Sequence, residues 1–178
     1  MLGQKVGNIF GAPKHFALGH CISSDANMGR GVAASFVKLY PELVILRDTT
    51  QPVGASVIVE TADRIIFNMV TKVEYWSKPS IQTLQRCLLS MKCQALKLGI
   101  KTVCLPMIGC GLDKLNYLRD VKPLLSEVSR GSELNIVICT LKRVGMFRYS
   151  LDFQVLILVH SSVEMHQHVI SLIAFDGN

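Results

Sequence analysis

An α/β fold is what this sequence predicts, because short apolar runs rich in valine and isoleucine alternate with longer stretches of helical period. The chain has 178 residues, about one domain, and 49% of them are apolar, enough for one core. Charged residues make up 18%, and no apolar run approaches the roughly 18 residues that span a bilayer. Disorder, collagen, coiled coil and a membrane protein are therefore excluded as classes.

Strands are expected at residues 16–21, 56–60, 64–70, 102–107 and 135–141. In several of them consecutive positions are apolar, as in strands buried on both faces of a central sheet, mixed or parallel. The first helix is expected at 31–40, with Val32, Phe36 and Leu39 turned inward. The longest follows Lys78-Pro79-Ser80, where proline suits a first turn, and carries Ile81, Leu84, Leu88, Met91, Ala95 and Leu98 three and four residues apart, with Gly99 as its stop. A third helix is expected at 118–128. Beyond Arg143 the texture changes, with apolar runs at 153–160 and 169–175 that could form two strands, or a strand and a helix, or an appendage that never packs.

Six cysteines, at 21, 87, 93, 104, 110 and 139, include no C-x-x-C pair, and a chain of this size needs no disulfide framework. The amino terminus lacks the apolar stretch and cleavage site of a secretory signal. Both features point to an intracellular protein, in the nucleus, the cytoplasm or both. The formal charge is +6, yet residues 1–143 hold 18 basic against 10 acidic residues, or +8. Such a surplus favours phosphates or nucleic acid as partners, while scattered solvated lysines would give the same sum.

Two glycine loops stand where an α/β sheet binds ligands, directly after apolar strands and ahead of helices. One reads Pro106-Met107-Ile108-Gly109-Cys110-Gly111-Leu112-Asp113, the other Ser23-Ser24-Asp25-Ala26-Asn27-Met28-Gly29-Arg30-Gly31. Glycines let a ligand approach the backbone, and a helix beginning near Gly31 would aim free N–H groups at an anion such as a diphosphate. A tight turn with a helix cap at Asp113 is the plain structural alternative. Neither loop is a Walker or G-x-G-x-x-G motif, so nucleotide hydrolysis and dinucleotide redox chemistry have no support.

Together GHCISSDANMGRGVA, FNMVTKVEYWSKPS and LPMIGCGLDKL resemble the macrodomain family, in its terminal ADP-ribose protein glycohydrolase and O-acetyl-ADP-ribose deacetylase branch. The resemblance covers residues 1–143 and implies a three-layer α/β/α sandwich with a mixed central sheet. It leaves 144–178 as an unassigned C-terminal extension. It also implies that Lys72 attacks the anomeric carbon of the proximal ribose in a glutamate or aspartate ester, with Asp113 as general acid and base. An ordinary salt bridge between the two is the structural alternative.

Binding roles follow from the same resemblance. Asn8 stands where the family has an aspartate that accepts from the adenine amino group, and Ile9 would pack beside the base. Ser23 with Gly29, Gly31, Val32 and Ala33 would hold phosphates or ribose. Met28 and the loop of Met107, Ile108, Gly109, Cys110, Gly111 and Leu112 would complete the contacts, and Leu141 would close the cleft. Met107 replaces an arginine of the relatives, and the few residues before Gly7 imply a first edge strand shortened or absent.

No cofactor or metal is expected: His160, His166 and His168 match no ligand pattern. Cys110 reads as a small residue facing ligand rather than a nucleophile. Tyr75 and Trp76, beside Lys78, read as partly buried ahead of the helix, with stacking on a base as the alternative. The implied partners are ADP-ribose and mono-ADP-ribosylated proteins, with poly-ADP-ribose or nucleic acid as further possibilities, no membrane, and a monomeric state. The rival readings are a non-catalytic ADP-ribose reader and a basic nucleic-acid-binding module.

Overall fold

A computed structural model describes residues 1–141 of the chain. Six strands form one mixed sheet: β1 (Leu2–Val6), β2 (Ala17–Ser23), β3 (Ser56–Glu60), β4 (Ile65–Lys72), β5 (Thr102–Leu105) and β6 (Asn135–Thr140). Their order is β1-β6-β5-β2-β4-β3, parallel throughout except for β3, which pairs antiparallel with β4. Helix α1 (Gly31–Leu39) covers one face, and α2 (Ile81–Lys97) with α3 (Lys122–Ser129) covers the other. The expected three layers and mixed central sheet are therefore present.

Alternation along the buried strands feeds both faces. Phe67 and Met69 of β4 join Leu84, Leu88 and Met91 of α2, whereas Ile66 and Val70 join Phe36 of α1. The second face is also lined by 3₁₀ segments at Ile9–Gly11 and Pro41–Asp48, which bury Ile9, Leu43 and Leu46. Expected runs of apolar residues on consecutive positions thus mark two-sided burial.

The structure corrects several expected elements. The first edge strand is present, pairing Leu2 through Val6 with Ile136 through Thr140. Strand β5 ends at Leu105, because Pro106 has no N–H for the ladder, and β4 runs on to Lys72 while Arg64 lies in the turn before it. Helix α2 follows Ser80 and is closed by Gly99 at φ +67° as expected, but the Ser80 side chain accepts from Thr83 N as the N-cap, so Pro79 precedes the first turn. In α1 only Phe36 is fully buried, with Val32 and Leu39 exposed, since Ala33, Val37 and Tyr40 share its inward stripe. Leu98 is likewise exposed, lying past the last turn of α2.

The third expected helix is two elements. A single π turn, Tyr117–Val121, is capped by the Asn116 side chain on Arg119 N, and α3 begins only at Lys122 with Pro123 in its first turn. Residues 144–178, with their expected runs at 153–160 and 169–175 and the three histidines, lie outside the described residues. No helix among the described residues is long and apolar enough to cross a membrane.

Candidate active site

Parallel pairing puts the carboxyl ends of β1, β2, β4, β5 and β6 on one edge of the sheet. Every site residue expected from the sequence leaves the sheet at that edge: Asn8 and Ile9 after β1, Ser23 to Ala33 after β2, Lys72 at the end of β4, Met107 to Asp113 after β5, and Leu141 after β6. The chain after β2 turns to the α1 face, whereas the chains after its neighbours β4 and β5 turn to the α2 and α3 face. Loops that diverge in this way open a crevice above the strand ends.

Within the crevice Lys72 Nζ donates to Asp113 Oδ1 at 2.6 Å. Both side chains are largely buried, 13% and 14% exposed. Asp113 caps no helix, so the cap reading of this residue is replaced by a contact across 41 positions of sequence. Its neighbour Lys114 holds a left-handed φ of +58°. Ala26 (+45°) and Met28 (+49°) are the other non-glycine residues in that region among those described, so all three lie on the two site loops. Such backbone strain persists only where surrounding contacts enforce it.

The loop after β2 is enforced in this way. Ser23 and Ser24 are buried; Ser23 donates to Asp25 and Ser24 to the Gln51 carbonyl. Asp25 accepts from Asn27 N, and Asn27 accepts in turn from Gly29 N, two successive Asx turns that the spacing D-x-N-x-G announces. Arg47 clamps the outside through the carbonyls of Ala26 and Asn27, a tie with no local sequence signal. Where α1 begins, Gly31 has φ +62° and Arg30 supplies no side-chain cap. Among the described residues the first-turn amides of Gly31, Val32 and Ala33 therefore keep no partner, as a bound anion requires.

Facing it, the loop after β5 is folded tightly. Cys110 N donates to Met107 O, Leu115 N to Gly109 O and Lys114 N to Gly111 O. Gly109 has φ +69°, and a Cβ there would sit 2.6 Å from Leu115 Cδ1, so any side chain would be strained and would displace Leu115. The two loops approach each other closely: a Cβ on Gly31 would meet Leu112 Cδ1 at 3.5 Å. Burial pushes the Cys110 thiol up to about 11, with the Asp120 charge adding to it, which leaves it a neutral thiol at physiological pH.

The remaining expected contacts divide. Ile9, Met28 and Ile108 are buried at the edge, while Met107, Leu112, Val32 and Leu141 are exposed. Asn8 is a 3₁₀ cap, accepting from Phe10 N at 3.1 Å through Oδ1. Tyr75 and Trp76 are exposed, not partly buried, because the Glu74–Ser77 turn lifts them clear of α2. The role of Asp25 was not foreseen from the sequence, although the Asx spacing was there to find it. A separate depression of about 640 Å³, lined in part by Met1, Leu2, Arg130 and Glu133, lies at the amino end of β1, away from this edge.

A family model described as Macro domain matches residues 20–121. The human protein ADP-ribose glycohydrolase OARD1 is 34% identical over 135 residues, spanning 76% of this chain and 88% of the human one. The macrodomain of Mycobacterium tuberculosis DarG shares the fold at a TM-score of 0.71 and 22% identity, covering 78% of this chain and 97% of its own. Thermosipho africanus DarTG in complex with ADP-ribose does so at a TM-score of 0.68 and 20% identity, over 80% of this chain and 43% of its own. Sheet order, the glycine loop after β5 and these matches agree: the chain belongs to the macrodomain family.

Proposed function

We propose that this protein is an ADP-ribose hydrolase that releases mono-ADP-ribose from glutamate and aspartate esters of modified proteins and also deacylates O-acetyl-ADP-ribose. The observation that carries the reading is the largely buried Lys72–Asp113 contact of 2.6 Å, at the strand edge that also holds an uncapped helix start and a glycine loop. The name of the human relative supports the reaction class, and the ADP-ribose in the DarTG structure supports the ligand. Six free thiols, Cys93 exposed among them, fit the reducing interior of a cell.

The diphosphate lies against the amides of Gly31, Val32 and Ala33, where aligned N–H groups and the dipole favour negative charge. Adenine packs beside Ile9, with Asn8 Oδ1 accepting from its amino group through the lone pair that Phe10 N leaves open. This arrangement brings the anomeric carbon to Lys72.

As a donor to Asp113, the ε-ammonium has no lone pair with which to attack. Proton transfer along the existing hydrogen bond converts the ion pair to a neutral amine and a neutral acid, a change that a substrate closing off water favours. The amine then bonds to the anomeric carbon as the bond to the ester oxygen breaks, and that electron pair leaves with the protein carboxylate. Asp113 moves protons for the departing group and then for the water that hydrolyses the lysyl sugar adduct, returning the amine. Free ADP-ribose and unmodified carboxylate are the products.

Release of ADP-ribose from a glutamate-modified protein tests the proposal. Lys72→Ala and Asp113→Ala are each expected to lower it at least about 100-fold while ADP-ribose still binds. A wild-type chain that binds ADP-ribose and releases none, or variants that release it undiminished, would overturn the assignment.

A further inference from the structure

Immediately after Lys72 the chain exposes Val73, Tyr75 and Trp76 by 61%, 48% and 66%. Large apolar side chains grouped in solvent at the mouth of a crevice mark contact surfaces more often than chance. This group is held in place. Ser24 N lies 2.9 Å from the carbonyl oxygens of both Lys72 and Val73, Tyr75 N donates to Asp25 Oδ2 at 3.4 Å, and Ser77 closes a turn on Glu74 at 3.0 Å. The two rings meet edge to face, centroids 4.6 Å apart and planes at 88°. An aromatic surface ordered before binding loses little entropy when a ligand lands on it.

We propose that Trp76 and Tyr75, with Val73, contact the polypeptide that carries the ADP-ribose and thereby select which modified acceptors are hydrolysed. The inference rests on the hydrolase reading above. Once ADP-ribose fills the cradle of residues 29–33 and 107–112, its ester oxygen lies at Lys72, and the acceptor chain leaves over the rim that begins at the next residue.

Charge favours a polypeptide here over a nucleic acid. The segment 72–78 carries Lys72, Glu74 and Lys78, and Asp25 accepts from Tyr75 N while Asp113 accepts from Lys72, which makes three carboxylates to two ammonium groups in and against it. A stacking platform for single strands lies in a positively charged groove, which this rim lacks.

Trp76 is the sole tryptophan, so its fluorescence reports the rim directly. The full-length Lys72→Ala protein, which holds substrate without turnover, is titrated with a glutamate-ADP-ribosylated peptide, free ADP-ribose and an ADP-ribosylated single-stranded oligonucleotide. The modified peptide is expected to shift the emission and free ADP-ribose to leave it unchanged. In an otherwise native chain Trp76→Ala should lower kcat/KM for the peptide about tenfold, leave O-acetyl-ADP-ribose hydrolysis and ADP-ribose affinity unaltered, and be largely rescued by Trp76→Phe.

An equal response to free ADP-ribose, a stronger one to the oligonucleotide, or a loss shared by both hydrolysis substrates or absent from both would overturn the proposal. Should the native chain hydrolyse nothing, the hydrolase reading fails separately and the fluorescence titration decides: a shift with the modified peptide alone supports the rim's role, and no shift refutes it.

Discussion

The two faces of the sheet are built by different rules. Against α2 and α3 the packing is almost wholly apolar, with Leu84, Leu88, Met91, Leu125 and Val128 meeting Phe67, Met69, Leu105 and Ile138. Against α1 the same sheet buries polar side chains: His20 bonds Asn68 at 2.9 Å and stacks on Phe36 at 4.0 Å, and Gln51 ties the 3₁₀ segment to the loop after β2. Buried polar groups cost stability unless paired, and once paired they hold one geometry. The face that anchors the loop after β2 uses them between side chains, whereas on the opposite face Ser90 and Gln94 of α2 bond the backbone of Ser56 at the β3 edge. Apolar packing holds the scaffold, and polar pairing shapes the cleft.

Leu88→Ala is the strongest test of the contrast. Leu88 is fully buried, and its truncation should cost about 4 kcal/mol in urea unfolding while leaving ADP-ribose affinity in the surviving folded protein unchanged. A large loss of affinity would break the division between faces.

The His20 pair offers a pH test of comparable size. Burial pushes the imidazole down from 6.5 to about 4, against the opposing bonds of Asn68 and the backbone of Cys21. Below pH 6.5 the unfolded chain takes up a proton that the folded one refuses until about pH 4, so stability rises with pH across that window and is lost as pH falls through it. The loss should approach about 3 kcal/mol. Urea midpoints measured from pH 7 to 4.5 should fall for the native chain, and less steeply for His20→Gln, which retains a hydrogen-bonding group but does not titrate; parallel slopes would remove His20 from the account.

Gln51→Ala gives the smallest effect and the sharpest division. Gln51 Nε2 donates to the carbonyls of Leu46 at 2.8 Å and Thr49 at 2.9 Å, and Gln51 N donates to Ser24 O. Loss of Nε2 strands the Leu46 and Thr49 carbonyls, at about 2 kcal/mol, while the backbone bond to Ser24 stays; freeing the segment that carries that bond should still weaken ADP-ribose binding. Calorimetric titration that finds affinity intact would separate the loop from its polar support.

Much of this was legible in the residues themselves. Periodicity in α2 carried into Leu84, Leu88, Met91 and Ala95, and valine- and isoleucine-rich runs located five strands to within two residues, since both patterns follow from which faces lose water. The strand β1 was obscure because only pairing with β6 gives its backbone partners. The inward stripe of α1 was misread because so short a helix is oriented by Phe36 and Tyr40 more than by its own period. Exposure of Tyr75 and Trp76 was likewise set by a turn braced on Asp25, a residue 50 positions away.

By itself, then, the sequence determined the layered α/β architecture, the two glycine loops and the residue types proposed for the chemistry. These depend on short-range pattern, backbone freedom and resemblance of motifs. Only the tertiary structure decided that Lys72 meets Asp113, that Gly31 at the uncapped start of α1 lies beside Leu112, and that the exposed Tyr75 and Trp76 are braced on Asp25. Each of those is a contact between segments far apart in the chain, and parallel strands, joined through crossovers, settle such contacts by the sheet order they adopt.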